Sequence, residues 1–129
     1  MKLRDLLERI EIGELNVLEV ELDKLFKRYK IDIEFTYHFK QRMNDPRNKK
    51  PITIEELRKI FLSTHKKYGR RISGNEDAFE AVLKDLSTNI NIPFVFQDKK
   101  DPASKERDLK AKTVMRKKNF GTPDHVFKV

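Results

Sequence analysis

His38 stands four residues before Arg42 in the run Thr36-Tyr37-His38-Phe39-Lys40-Gln41-Arg42. On a helix these two side chains share a face, while Phe39 and Met43 share an adjacent one that can pack inward. An imidazole moves a proton near neutral pH, and a guanidinium holds phosphate oxygens through paired N–H groups. The pair therefore suits chemistry at a phosphodiester. The plainer reading of His38, a hydrogen-bonded structural residue or cap after a strand, stays open on the sequence alone. The same run continues into Arg47, Lys49 and Lys50, which extend the positive charge beyond Asp45-Pro46.

A second basic stretch lies far away in sequence, from Lys110 to Lys118. If Leu109, Ala111, Thr113 and Met115 face a core, Lys110, Lys112 and Arg116 stand on the opposite face, with Lys117 and Lys118 just past the strand end. Such a strand end can clamp a sugar-phosphate backbone. It can equally be a solvated face whose lysines prevent edge pairing. The Thr113 hydroxyl, on an otherwise apolar face, needs a hydrogen-bond partner. Of the other two histidines, His65 sits among Phe61, Thr64 and Tyr68 and reads as flanking the core. His125 lies beside a turn, where it could join a site or be merely exposed.

Three histidines without clustered carboxylates at ligand spacing give no reason to expect a metal centre. No glycine-rich phosphate loop, nucleophile elbow or HExxH motif is present, so no cofactor is expected and the usual NTPase, serine hydrolase and zinc protease readings fall away. The chain has no cysteine, and its opening residues mix both signs of charge among leucines, unlike a signal peptide or membrane span. A cytoplasmic location away from membranes is the resulting expectation.

The elements that must position these residues can be read from periodicity. Leu3, Leu6, Leu7 and Ile10 recur at helical spacing up to Gly13, which is expected to stop a first short helix; Leu15, Leu18, Leu22, Leu25, Phe26 and Tyr29 mark a second. Ile31, Ile33 and Phe35 alternate with polar residues as a strand does, and Thr36 can cap a short helix from Tyr37 to about Asn44, ended by Pro46. Thr53 and Glu56 form a capping box for a helix whose inward residues are Leu57, Ile60, Phe61, Thr64 and Tyr68, expected to stop at Gly69. Three strands follow, around Phe79–Leu83, Ile92–Phe96 and Leu109–Met115, joined locally as an antiparallel meander, with a last short strand from His125. The expected architecture is α+β, with N-terminal helices packed on a small antiparallel meander. A helical arm over 1–30 and a compact basic unit over 31–129 would form one globular domain.

The formal charge of +8 is unevenly distributed. Residues 1–30 hold seven basic and seven acidic side chains, residues 31–70 hold ten and five, and residues 71–129 hold twelve and nine. An excess that begins after residue 30 points to a polyanion, RNA or another nucleic acid, and leaves the balanced first segment better suited to a protein contact.

This order of elements, with the segment from Phe35 to Arg42 before the capped helix and Lys112-Thr113-Val114-Met115-Arg116-Lys117-Lys118 at the end of the meander, resembles the RelE and BrnT-like branch of the small barnase/RelE-type ribonucleases, especially its phage-encoded members. The likeness covers roughly residues 31–120. It implies metal-independent RNA cleavage by attack of a ribose 2′-hydroxyl, with His38 as acid or base, Arg42 and Arg116 as phosphate clamps, and Arg47 and Lys118 on the approach surface. Lys49, Lys50, Lys112 and Lys117 complete the expected nucleic-acid contacts. The family also implies a protein inhibitor, and residues 1–29 offer a segment for such a partner or for self-association. An acidic residue paired with a histidine close in sequence is missing, which leaves the proton inventory short. A non-catalytic nucleic-acid-binding module and a phage structural or assembly protein are the competing readings.

Overall fold

The computed structural model describes residues 3–101 and 103–129, with side chains from residue 12 onward. Helix α1 runs unbroken over Leu3–Phe26. Two helices were expected, but Gly13 does not end the first: a lone glycine costs a helix interior about 1 kcal/mol, and without a proline or a left-handed turn it does not stop one. The side chains of Leu3, Leu6, Leu7 and Ile10 lie outside the described residues. Leu15, Leu18, Leu22 and Phe26 are fully buried on the inward face. A single 3-10 turn, Lys27–Tyr29, closes on Lys30 in the left-handed conformation and delivers the chain into strand β1, Ile31–Phe35.

β1 behaves as its alternation requires, with Ile31, Ile33 and Phe35 buried. It is an edge strand, and its outward N–H groups would be open to pairing. Helix α1 covers them: the Asp23 carboxylate accepts from the Ile33 N–H at 2.6 Å, and Glu19 accepts from that of Phe35 at 3.2 Å. Four residues of helix and two of strand both advance about 6 Å, so carboxylates at i and i+4 match alternate strand amides. Burial pushes the Asp23 carboxyl up to about 6. Asp32 and Glu19 add to the shift, while the Ile33 hydrogen bond and Lys99 oppose it.

Thr36 caps helix α2, Tyr37–Arg42, by accepting from the Phe39 N–H. Helix α3, Ile54–Ser73, carries the capping box in full, with the Thr53 side chain accepting from the Glu56 N–H and Glu56 from that of Thr53. It continues past Gly69 to Gly74. Gly69 is needed for packing instead: a Cβ there would lie 2.5 Å from the Tyr29 ring. His65 is core-flanking as expected, edge-on to Phe26 at 5.1 Å.

Strands β2 (Phe79–Asp85), β3 (Ile90–Asp98) and β4 (Arg107–Ala111) form the antiparallel meander. It is the centre of a mixed, six-stranded sheet in the order β1-β4-β3-β2-β6. The fold is α+β, but the sheet is larger than the meander: β1 adds to β4 in parallel, and β6 (His125–Lys128) adds to β2 in parallel. One cluster of buried side chains joins α1, α3 and the inner face of the sheet, including Leu57, Phe61, Leu83, Phe94, Leu109 and Phe127. No helix among the described residues is long and apolar enough to cross a membrane.

The expected strand from Leu109 to Met115 is broken. β4 ends at Ala111 opposite Phe94, and a two-residue strand β5, Met115–Arg116, resumes on β3 with Met115 opposite Asn91. Lys112, Thr113 and Val114 therefore face only Ile92 and Pro93, which is a β-bulge with one extra residue. Pro93, which has no N–H to give a ladder, sits at the bulge where a proline is tolerated. The extra residue reverses the alternation. Val114, not Thr113, is buried, and Arg116 pairs with Ile90 on the core side instead of standing opposite it with Lys110 and Lys112.

Candidate nucleic-acid interface

α2 is anchored by Phe39 and Met43, both buried, and turns His38 and Arg42 outward together. Arg42 donates from Nε to His38 Nε2 at 3.4 Å, a long contact that requires a lone pair on that nitrogen. Its other arm reaches Asp45 Oδ2 at 2.5 Å. Asp45 caps the 3-10 turn Pro46–Asn48 by accepting from the Arg47 N–H, and its Oδ2 also binds the Arg47 guanidinium at 2.8 Å. One carboxylate thus aligns two arginines.

Asn48 links this segment to the distant one. It is 5% exposed, donates from Nδ2 to the Arg42 carbonyl at 2.9 Å and accepts at Oδ1 from the Arg116 N–H at 3.0 Å. On the other side, the Lys117 N–H donates to the Asn89 carbonyl, and Asn91 Nδ2 donates to the carbonyls of Lys117 and Asn89. The two basic stretches consequently converge on one groove of about 780 Å³. His38, Arg42, Arg47, Lys49 and Lys50 from the first stretch line it together with Arg116, Lys117 and Lys118 from the second, and Thr113 and Asn89 complete the lining. Seven of the lining residues are arginine or lysine, and Asp45 is their one carboxylate.

Two expected contacts take other roles. Lys112 is not in the groove: its ammonium pairs with Glu80 at 3.0 Å, and its carbonyl accepts from the Thr36 hydroxyl at 2.8 Å. Lys110 likewise faces Glu34 at 3.9 Å. Strands carrying Asp32, Glu34, Glu80 and Asp108 neutralise the face on which a phosphate clamp was expected. Arg116 does border the groove, but its guanidinium donors are spent. They reach Glu56 from both terminal nitrogens at 2.8 and 3.1 Å and the carbonyls of Pro51, Thr88 and Lys50 at 2.8, 3.0 and 3.3 Å. A guanidinium has five N–H groups, and all are engaged here. Burial pushes the Glu56 carboxyl up, but the Arg116 and Thr53 hydrogen bonds outweigh it and leave the group below the usual range.

Asp45, Asn48, Asn89 and Thr113 are the groove residues that sequence reasoning left unassigned. Asp45 before Pro46 carries a local signal, a cap at a turn. Asn48 carries none, because its partner lies 68 positions away. The Thr113 hydroxyl lines the groove. His125 is not among the lining residues and packs instead edge-on against Phe127, with ring centroids 4.6 Å apart. No three His, Asp or Glu side chains among the described residues gather as a metal site would require.

No protein-family model matches the sequence, and neither the curated proteins nor the solved structures gave a significant match.

Proposed function

We propose that this chain is a metal-independent endoribonuclease of the RelE and BrnT-like kind, with the groove between α2 and β5 as its active site. The observation that carries the reading is the convergence of residues 38–50 and 116–118 on one cationic groove with an exposed imidazole at its rim. A backbone phosphate held by Arg42 and by Lys117 or Lys118 would draw the Arg42 guanidinium from His38 and free Nε2. The ribose 2′-hydroxyl then attacks phosphorus and gives its proton to His38. The bond to the 5′-oxygen breaks, and the products are a 2′,3′-cyclic phosphate and a 5′-hydroxyl that takes its proton from the imidazolium or from water. Arg42 and the lysines stabilise the crowded phosphate as its charge grows. Arg116 acts at one remove, holding β5 against α3. An RNA substrate fits a cytoplasmic site of action for a chain without cysteine.

RNA incubated with the protein and a chelator should acquire new ends bearing cyclic phosphate. His38→Ala should slow this by about 10²-fold or more while leaving RNA binding intact. RNA that is bound in a salt-sensitive way but never cut would establish the second reading, a non-catalytic binding module. One feature favours that alternative: the one carboxylate among the groove residues, Asp45, is held by two arginines, so no carboxylate stands ready beside His38 as a second proton-transfer group.

A further inference from the structure

Helix α2 presents more to solvent than the pair that lines the groove. At about 100° per residue, Phe39 and Met43 mark its inward side, and Tyr37, Gln41, His38 and Arg42 follow one another around its outward side in that order. His38 and Arg42 line the groove. Tyr37 and Gln41, one turn apart, form the crest of the helix just outside the rim, and both are exposed.

Tyr37 is 75% exposed, more than any other large apolar side chain described. A lone exposed aromatic is ordinary on a protein surface, but the other two tyrosines both serve the fold. The Tyr29 ring fills the space over Gly69, and the Tyr68 hydroxyl donates to the Lys128 carbonyl at 2.7 Å. Among the described residues the Tyr37 side chain makes no hydrogen bond and meets no other ring or guanidinium, so it stands open to solvent. Its backbone, in contrast, is fixed. The Thr36 N–H donates to the Ala111 carbonyl at 3.2 Å, and the Thr36 hydroxyl donates to the Lys112 carbonyl at 2.8 Å while accepting from the Phe39 N–H. These bonds tie the first turn of α2 to the bulge, one residue before Thr113, which lines the groove. The free ring is therefore carried on a short anchored helix, beside the stretch of groove that His38 and Thr113 line.

We propose that Tyr37 is a base-stacking platform and that the groove takes a single strand. One phosphate lies in the groove against Arg42, and a neighbouring base, unpaired and turned outward over the rim, lies on the Tyr37 ring. The inference rests on the groove being a nucleic-acid site. A cationic groove bordered by an exposed aromatic ring is the combination that holds single strands with little regard to sequence, because every base has a π-face. A duplex offers phosphates to the same cations, but its bases are stacked on one another and do not reach the ring.

The chain contains no tryptophan, so Tyr37→Trp places a single reporter at the platform. Titrating this full-length variant with a 2′-O-methyl oligouridylate, which keeps the phosphates but has no hydroxyl to attack, should quench the tryptophan emission. An RNA duplex of the same length should bind in a salt-sensitive way without quenching it. Tyr37→Ala should weaken binding of the single strand by about 5- to 100-fold, the worth of one base–aromatic stack, and leave duplex binding unchanged. Tyr37→Phe, which keeps the ring, should bind like the parent. Single-strand binding that Lys117→Ala with Lys118→Ala weakens and Tyr37→Ala does not would overturn the platform while leaving the groove intact. So would a tryptophan emission that the single strand leaves untouched or that the duplex quenches equally. A parent protein that binds neither RNA would overturn the groove itself, and the platform with it.

Discussion

Arg116 shows how a residue chosen for its chemistry can be spent on architecture. Its side chain is 12% exposed and that of Glu56 is 18% exposed, and Arg116 also satisfies three carbonyls from two loops, those of Lys50, Pro51 and Thr88. Arg116→Ala would strand the Glu56 carboxylate and those carbonyls together, so the expected loss is about 2–4 kcal/mol, read by urea unfolding at neutral pH. Arg116→Lys should recover little of it, because an ammonium cannot reproduce the two parallel bonds to one carboxylate. The pH dependence has a definite sign. The Glu56 carboxyl is held below its usual range in the fold, so its contribution is present at neutral pH and disappears as acid carries the pH down through the folded value. Arg116→Ala should therefore lose most relative to the parent at neutral pH and less in acid, where only the bonds to the Lys50, Pro51 and Thr88 carbonyls still separate the two. The residue types were legible in the sequence, but their division of labour was not. The i, i+4 relation of His38 and Arg42 follows from helix geometry, whereas the bonds of Arg116 depend on a one-residue bulge that no periodicity announces.

At the scale of elements, the caps were the readable part. Thr36 and the Thr53–Glu56 box act over three residues, and local hydrogen bonding needs no knowledge of the fold. The glycines were misread because their meaning is tertiary. Gly69 admits the Tyr29 ring, and Gly13 interrupts nothing. The grip of α1 on the edge strand is also invisible in the sequence, since Glu19 and Asp23 look like ordinary surface acids. The raised Asp23 pKa has the opposite consequence to that of Glu56. The folded state holds its proton up to about pH 6, where the unfolded chain has released it, so this site's contribution falls as pH rises from about 4 to 6. Asp23→Asn keeps a carbonyl oxygen for the Ile33 N–H and removes the buried charge. It should flatten the stability profile between those pH values and leave the protein at least as stable at pH 7.5. Asp23→Ala, which leaves the amide unmet, should cost about 1–3 kcal/mol across the range. Thermal unfolding at pH 5 and 7.5 separates the two.

For the whole molecule the question is where the excess charge does work, and the structure divides lysines that look alike in the sequence. Those just past β3, on β4 and at the bulge are matched by carboxylates: Lys99 with both Asp32 and Asp108, Lys110 with Glu34, Lys112 with Glu80. Those beyond β5 and in the loop after α2 have no such partners within the groove, apart from Asp45, which is shared by two arginines. A nucleic acid entering the groove would release counterions in proportion to the phosphates it meets there, with a slope of about 0.7 per contact for a single strand. Titrations of single-stranded RNA over a range of salt should therefore give a shallower dependence for Lys117→Ala with Lys118→Ala, by about 0.7 for each phosphate contact removed. Lys112→Ala should leave the slope unchanged, although it removes as much formal charge as either of those substitutions alone from the neighbouring part of the chain. Equal effects from all three lysines would mean that RNA responds only to net charge, and the groove would then lose its claim to be the binding site. A change confined to Lys117 and Lys118 would locate the bound strand on the side of β5 that faces His38, the geometry on which cleavage depends.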